Sequence, residues 1–412
     1  MSVDIKKNFR SKKIIIAGAA VFPGGHGGAV RCMHMLAKGF AANGHQVEVV
    51  TAYGSEERKS SYELDGFDVK TFAFAGDDKH FTIYRKLKPN LSLLIYLLYL
   101  IFKGNHDLVL LYGPVVTFPL VAIFARIMGQ RISYYMADIR LAPKNISLSK
   151  KIVLTIIDCI DIALAKLCDF IIVLGTEDLA LRYKRIASKT KQIRTLAPVD
   201  TKLFSKCDGE NFRKKHNFIN KRLISYSGNI DTLEGVDILI KAMKNVVEKF
   251  PNVILVLAGQ PTPIDYVIGK PFDFKMLAKQ IGIEKYVFFT GHIQLQEVIN
   301  LLSASDVLVM PKIDHPLNRV ASPIKIAEYM AAGRPIISSK ICELEKHMEH
   351  GVDLLFCEPG DIYSLSENII LLLTNDTLRI KLSNNASVVA NNIYDKLVIT
   401  DKICKTIFFS ND

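Results

Sequence analysis

The stretch Ser322–Pro335 combines a helix start, a cation and a carboxylate at short spacing. Ser322 can cap a helix that has Pro323 at its first position, and a glycine and a proline near the end of the stretch terminate it. The free N–H groups near Ile324, together with the Lys325 ammonium, predict a site for an anion such as phosphate.

Glu328 lies one turn beyond Ile324, on the same face of that helix. A carboxylate beside a phosphate is repelled by it, but it can accept hydrogen bonds from sugar hydroxyls next to the phosphate. Lys325 and Glu328 together therefore predict a ligand in which a phosphate is joined to a sugar.

A second glycine-rich segment, Pro23–Gly28, follows an apolar run and precedes a helical pattern. Its backbone N–H groups and the helix N-terminus are typical of a phosphate or oxyanion site. The glycines come in adjacent pairs, unlike the dinucleotide-binding fingerprint, and a tight turn without a ligand has the same composition.

The elements that must position these residues are short apolar strands alternating with helices, which predicts an α/β protein. The pattern runs from residue 13 to the Leu174 region, pauses in a charged, turn-rich passage at 197–220, and then starts again. We expect two doubly wound, Rossmann-like domains, residues 1–198 and 199–390, facing a central cleft. Residues 391–412 are expected to form a helix that crosses back to the first domain. Ligands of such sheets bind at the carboxyl ends of the strands, so the cleft is the expected site.

Several stretches in this order make the sequence resemble a GT-B-fold, retaining glycosyltransferase of family 4 (group 1). Together they cover nearly the whole chain. They are specific for the fold and the class of enzyme, and much less specific for the sugar that is transferred. The stretches are Gly27–Thr51, Val199–Phe204, Tyr226–Gly228 with Glu234-Gly235, Val287–Gly291 and Ser322–Pro335.

The resemblance implies a nucleotide-sugar donor held by the C-terminal domain and an acceptor held by the N-terminal one. It places Glu328 at the ribose hydroxyls and His292 with Ile293 at the base. The other donor-binding residues that it implies lie near the phosphates: Gly27, Gly28, Gly228, Asn229, Pro323, Ile324 and Lys325.

The sequence departs from the family pattern at charged positions. The first glutamate of the Glu-x7-Glu motif falls on Val320, and the basic pair that usually holds the diphosphate falls on Asn229 and Glu234. Lys325 is then the main expected cation, with Lys312 and Arg319 as weaker candidates.

The histidine that often follows the fifth strand of the family falls on Ala137, so Asp138 is the predicted catalytic or acceptor-contacting carboxylate, beside Lys325 and Glu328. Without the first glutamate, Asp314 or His315 are further candidates for orienting the donor sugar. No Asp-x-Asp motif occurs, so we expect no metal and no cofactor. The family then implies a front-face reaction in which the leaving phosphate helps to deprotonate the acceptor hydroxyl.

The net charge of +12 lies entirely in the first half, where residues 1–198 carry 28 basic and 16 acidic side chains. An apolar run at Leu91–Phe102 has basic residues at both ends and is too short to cross a bilayer. It is typical either of a helix in an anionic membrane interface or of a buried core helix. No signal peptide and no nucleic-acid-binding motif occur, which predicts a cytoplasmic, peripheral protein at the inner face of the cell membrane.

These observations predict a retaining transferase that moves a hexose or N-acetylhexosamine from a UDP-, GDP- or similar nucleotide sugar. The expected acceptor is a hydroxyl of a lipid-linked saccharide in cell-envelope polysaccharide synthesis. A nucleotide-sugar 2-epimerase of the same fold remains an alternative, because fold alone does not name a reaction. A catalytically inactive, membrane-bound binding subunit is the other.

Overall fold

A computed structural model describes residues 10–23, 28–54, 59–74, 83–136, 148–205 and 209–409, with the backbone alone for residues 19, 20, 83–87, 150 and 205. The predicted site residues Gly27 and Asp138 lie outside the described residues.

The first sheet has eight described strands in the order β3-β4-β2-β1-β5-β6-β7-β8. All neighbours are parallel except the β3–β4 pair. The strands β5, β6 and β7 are buried along their whole length, as expected for a parallel sheet covered on both faces. The strand bounds are β1 Lys13–Phe22, β2 Gln46–Gly54, β3 Ser61–Leu64, β4 Phe67–Phe74, β5 Leu108–Tyr112, β6 Ile132–Met136, β7 Phe170–Leu174 and β8 Lys191–Thr195.

The second sheet is parallel throughout, with six described strands in the order β11-β10-β9-β12-β13-β14. The strand order reverses at β9, as it does at β1 in the first sheet, and these switch points are where doubly wound sheets open their ligand crevices. The strand bounds are β9 Arg222–Ser227, β10 Val253–Ala258, β11 Val287–Gly291, β12 Val307–Met310, β13 Ile336–Ser339 and β14 Leu355–Cys357.

The helices cover both faces of the two sheets, and their apolar sides complete separate cores for each sheet. Their bounds are α1 Gly28–Ala42, α2 Ile83–Lys103, α3 Phe118–Ile127, α4 Leu148–Leu167, α5 Glu177–Ile186, α6 Thr201–Ser205, α7 Glu210–Lys215, α8 Val236–Lys249, α9 Phe274–Gln280, α10 Leu295–Ala304, α11 Pro316–Val320, α12 Ile324–Ala331, α13 Ile362–Thr374, α14 Asp376–Val389 and α15 Lys396–Phe409.

The last helix, α15, lies against α1 of the first domain. Asn43 at the end of α1 donates through its side chain to the Leu397 carbonyl at 3.0 Å and to the Thr400 hydroxyl at 2.9 Å. A Cβ at Gly39 would stand 2.6 Å from the carbonyl oxygen of Lys396, so the two helices touch through their backbones. The two sheets fall within the proposed ranges 1–198 and 199–390, and α15 joins the second range back to the first.

The helix α2 has apolar side chains on both its buried and its exposed face. The segment Leu91–Phe102 is therefore neither wholly buried in the core nor wholly exposed to the surface. Leu93, Leu97 and Ile101 are fully buried in the first core, while Leu91 and Ile95 are more than half exposed. None of the described helices is long and apolar enough to span a bilayer.

Candidate functional site

The helix α12 begins one residue later than the sequence predicts. Pro323, in extended conformation, takes the position before the first helical residue, and Ile324 is the first residue in the helix. The expected cap by Ser322 with Pro323 at the first helical position is therefore wrong. The physical reason is that proline also suits an extended position, with the Pro323 carbonyl accepting from Ile326 N–H at 3.2 Å. The N–H groups of Ile324 and Lys325 precede this first hydrogen bond, as the anion site requires.

Lys325 points towards the end of β9 and is already engaged. Its ammonium forms an ion pair with Glu234, donates to the Tyr226 hydroxyl at 2.8 Å, and lies 4.6 Å from the centre of that ring. Only 11% of its side chain is exposed. Burial lowers the pKa of Lys325, and Glu234 opposes that shift. The expected cation is present, but it is not an isolated positive charge.

Glu234 also binds the second lysine of the site. Its other oxygen lies 2.6 Å from the Lys312 ammonium, which in turn donates to Asn318 at 2.9 Å. Burial opposes ionisation of Glu234, but the two ammonium groups outweigh it and hold its pKa well below the usual range. One carboxylate thus neutralises half of the positive charge that Lys312 and Lys325 bring to the site.

Asp231 adds a carboxyl group whose pKa lies close to neutral pH. Its side chain accepts from the Glu234 backbone N–H at 2.8 Å. Burial raises the pKa of Asp231 to about 6, although that hydrogen bond favours the ionised form. The carboxyl group therefore changes charge close to neutral pH.

Glu328 is held by a residue of the opposite domain. Arg31, on the first turn of α1, places a terminal guanidinium nitrogen 2.7 Å from a Glu328 oxygen. Glu328 is 3% exposed, and burial raises its pKa while Arg31 and Lys325 oppose the rise. Gly28, at the start of α1, comes so close to α12 that a Cβ would stand 3.3 Å from the Ile324 side chain. The first turns of α1 and α12 therefore face each other across the cleft.

The end of β9 forms the floor beside Lys325. Gly228 has a φ of +145°, and a Cβ there would stand 2.8 Å from the Lys325 ammonium nitrogen. The Tyr226 hydroxyl donates to the Asn229 carbonyl at 2.7 Å, which fixes the turn that follows the strand. Gly228, Asn229, Lys325 and Glu328, four of the residues predicted to hold the donor, are thus close together in the structure.

His292 and Ile293 lie at the carboxyl end of β11, on the same sheet edge but two strands away from β9. His292 is exposed, whereas Ile293 packs against the small apolar cluster that contains Phe212 and Leu301. His292 and Ile293 therefore lie at the outer end of this sheet edge, which we call the rim, and not beside Lys325.

The other candidate side chains lie outside this cluster. Arg319 and Asp314 pair with each other at 2.6 Å, and both are about half exposed or more. His315 accepts from the Leu317 N–H at 3.3 Å and caps α11. Val320 presents its carbonyl to Gly175 of the first domain, where a Cβ would stand 2.7 Å away.

The sequence reasoning missed Arg31. It lies three residues after Gly28 in the stretch Gly27–Thr51 that carries the resemblance, and this spacing puts a cation on the first turn of the helix that opens on the cleft. That signal was available, but the partner of Arg31 lies 297 residues away in the chain.

Comparison with known proteins agrees with this architecture. Residues 208–389 match the family model of the glycosyl transferases group 1. The chain is 24% identical over 171 residues to a D-inositol 3-phosphate glycosyltransferase of Corynebacterium urealyticum, and 28% identical over 156 residues to the lipopolysaccharide glucosyltransferase WaaG of Escherichia coli K12. These alignments cover 41% and 37% of this chain, and they span only 38% and 37% of the two relatives.

The fold similarity extends over nearly the whole chain. The structure of Anabaena Alr3699/HepE in complex with UDP and glucose superimposes with a TM-score of 0.68 at 20% identity, covering 96% of this chain and 99% of that one. Residues 208–389 thus resemble the group 1 glycosyl transferases, and the two facing domains of the chain have the GT-B fold.

Proposed function

We propose that this protein is a retaining, metal-independent glycosyltransferase that moves a hexosyl or N-acetylhexosaminyl group from a nucleotide sugar to a hydroxyl of a lipid-linked saccharide. The observation that carries the proposal is the pairing of two helix starts across the cleft. Ile324 and Glu328 on α12 face Gly28 and Arg31 on α1, which puts anion-binding N–H groups beside a carboxylate that can accept from ribose hydroxyls.

The donor site is suited to a nucleoside diphosphate. The N-termini of α1 and α12 both carry partial positive charge, and Lys325 and Lys312 add cations behind them. The HepE structures contain UDP and UDP-glucose, which supports a nucleotide sugar as donor. Glu328 would accept hydrogen bonds from the ribose hydroxyls, and the base would bind at the rim formed by His292 and Ile293.

The proposed chemistry breaks the bond between the sugar C1 and the leaving phosphate oxygen, and forms a C1–oxygen bond to the acceptor on the same face. The acceptor proton passes to the leaving phosphate oxygen. The helix N-termini and lysines stabilise the negative charge that develops on that phosphate. Asp138 follows β6, whose carboxyl end lies on the same edge of the first sheet as Gly28, and we propose it as the acceptor-contacting carboxylate.

The first domain has an apolar face that fits a membrane-bound acceptor. The helix α3 packs between α2 and α4, and each presents exposed apolar side chains at helical spacing. We call this set the apolar face; it consists of Leu91, Ile95, Tyr99 and Phe102 on α2, Leu120, Ile123 and Ile127 on α3, and Leu148, Ile152 and Ile156 on α4. Phe102 and Ile127 are 72% and 74% exposed. Large exposed apolar patches mark contact surfaces.

The charge around the apolar face favours an anionic bilayer as its occupant. Neither α2 nor α3 contains an acidic residue, and they carry the exposed Lys103 and Arg126 near their C-terminal ends. On α4, Asp161 is buried against the Tyr134 hydroxyl, and Asp158 is half-buried. The positive excess of residues 1–198 thus accompanies an apolar surface, a combination typical of interfacial binding.

Vesicle sedimentation tests the apolar face. The wild-type chain is expected to bind vesicles of phosphatidylcholine with anionic phosphatidylglycerol, and to lose most of this binding in high salt. Because burying one large apolar side chain contributes roughly 1.5–3 kcal/mol, Phe102→Glu and Ile127→Glu should each weaken binding by about tenfold or more.

Tyr363→Glu is the matched control, since Tyr363 is 74% exposed on α13 of the second domain. Binding by the Phe102 and Ile127 variants equal to that of Tyr363→Glu would exclude the apolar face as the membrane site. If the wild-type chain instead self-associates without binding vesicles, the face is covered by a second copy.

A nucleotide-sugar screen tests the transferase itself. UDP-, GDP- and ADP-sugars are each added during thermal unfolding, and the true donor should raise the midpoint because it binds only the folded state. Incubation with that donor and no acceptor should leave the sugar unchanged. Conversion of the sugar without an acceptor would instead identify a 2-epimerase, and no shift with any nucleotide sugar would favour an inactive binding subunit.

A further inference from the structure

The second domain has few unengaged cations for a diphosphate. The resemblance places the basic pair that holds the diphosphate at Asn229 and Glu234, neither of which is basic. Glu234 instead forms ion pairs with Lys312 and Lys325 and neutralises part of their positive charge. These three side chains together leave a single net positive charge, whereas a nucleoside diphosphate brings two or more negative charges. A further cation close to α12 would add to the positive charge that the helix N-termini and the two lysines offer to the diphosphate.

Arg31 is placed to supply it. Its guanidinium reaches the Glu328 carboxylate at 2.7 Å, and Glu328 lies one helical turn after Lys325. About a third of the Arg31 side chain is exposed, while Glu328 is almost completely buried. Among the described residues Glu328 is its hydrogen-bond partner, so most of its five N–H donors remain available.

The chemistry of the group fits a phosphate. A guanidinium binds two phosphate oxygens in a planar, forked arrangement, and it stays charged at all physiological pH values. Its present carboxylate partner would turn to the ribose hydroxyls when a donor enters. Arg31 would then lose its partner at the moment when the donor phosphates arrive beside it.

We propose that Arg31 is a ligand of the donor diphosphate, supplied by the first domain and held ready in the cleft by Glu328. The inference rests on the proposed function, because it assumes a nucleoside diphosphate in this cleft. It assigns a binding role to a residue of the domain that otherwise faces the acceptor. Donor binding would then engage α1 and α12 together and couple the two domains.

The test is a double-mutant cycle on UDP affinity, measured by isothermal titration, with GDP and ADP in parallel. Arg31→Ala should weaken binding by about tenfold or more, as for the loss of a hydrogen bond to a charged group. Arg31→Lys should retain part of the UDP affinity, because lysine keeps the positive charge but lacks the forked donors of the guanidinium. Arg185→Ala, an exposed arginine on α5, is the matched control and should bind UDP as the wild type does.

Measurement in the Glu328→Gln background distinguishes a direct contact between Arg31 and the diphosphate from an indirect effect in which Arg31 only positions Glu328. If Arg31 touches the diphosphate, Arg31→Ala still costs about tenfold in that background. If Arg31 only holds Glu328, the second substitution has no further effect and the proposal is wrong. Unchanged or tighter UDP binding by Arg31→Ala in the wild-type background would also overturn it, while leaving the proposed function intact. A wild-type chain that binds none of the three diphosphates would overturn both.

Discussion

Glu328→Ala is expected to weaken binding of the donor nucleotide by about 100-fold or more and to remove transfer activity at ordinary donor concentrations. The proposed ribose contact consists of two hydroxyl groups donating to one carboxylate, and a hydrogen bond to a charged group contributes roughly 1.5–3 kcal/mol. The site is dry, since Glu328 is 3% exposed, so water does not replace the lost acceptor. Titration with UDP, GDP and ADP measures the effect directly.

The pH dependence of nucleotide affinity shows whether the Glu328 carboxylate contacts the nucleotide or has only a structural role. Burial raises the pKa of Glu328, and Arg31 and Lys325 only partly offset that rise. The ionised form is the better acceptor, so wild-type affinity should fall as the pH is lowered through this raised pKa. Glu328→Gln cannot ionise at this position, so the part of the decline that comes from Glu328 should be missing from its profile, while the part that comes from Asp231 remains in both proteins.

Asp200→Asn is the matched control for Glu328→Ala. Asp200 is also a buried carboxylate paired with a cation of α1, at 3.0 Å from Lys38, and it binds Lys396 of α15 at 2.8 Å. It lies at the connection between the domains instead of at α12. We expect this variant to unfold at a lower temperature yet to bind UDP with unchanged affinity. Equal loss of affinity in both variants would show that Glu328 acts through domain contacts and not through the ribose.

The fold was largely predictable because its signals are local. Apolar runs such as Val253–Ala258 are buried on both faces of a parallel sheet, and this requirement is visible in the sequence itself. The hairpin of β3 and β4 was missed although its signal was present. Asp65-Gly66 joins the two strands with φ values of +49° and +83°, as a two-residue hairpin turn requires.

The site was predictable only where its residues are neighbours in the chain. Lys325 and Glu328 share one helix, so their spacing indicates a common face. The pairing of Lys325 with Glu234 joins residues 91 positions apart, and no local pattern specifies it. The resemblance predicts a basic residue at position 234, but only the folded arrangement shows that Glu234 pairs with Lys325.

Gly259→Ala is expected to destabilise the second domain by about 3 kcal/mol or more. Gly259 has a φ of +145°, which is costly for any residue with a side chain, by roughly 1–3 kcal/mol. A Cβ at this position would stand 1.8 Å from the carbonyl oxygen of Gly228. That oxygen belongs to the backbone and cannot rotate away, so the ends of β9 and β10 must separate, at a further cost typical of overpacking.

The same region holds the donor site together. Gly228 N–H donates to the Ala258 carbonyl at 2.9 Å, and Gly259 N–H donates to the Gly291 carbonyl at 3.0 Å. Separation of these strand ends would displace Gly228 from Lys325, since the two are already in close contact. We therefore expect Gly259→Ala to lose nucleotide affinity as well as stability.

Gly282→Ala isolates the contribution of the close contact. Gly282 also has a positive φ, +77°, but a Cβ there meets nothing within 4 Å. It should cost only about 1 kcal/mol of backbone strain and leave UDP affinity unchanged. Urea unfolding of the two variants compares these costs. Equal stability would mean that β9 and β10 do not approach as closely as the structure shows, and that the floor beneath Lys325 is wider.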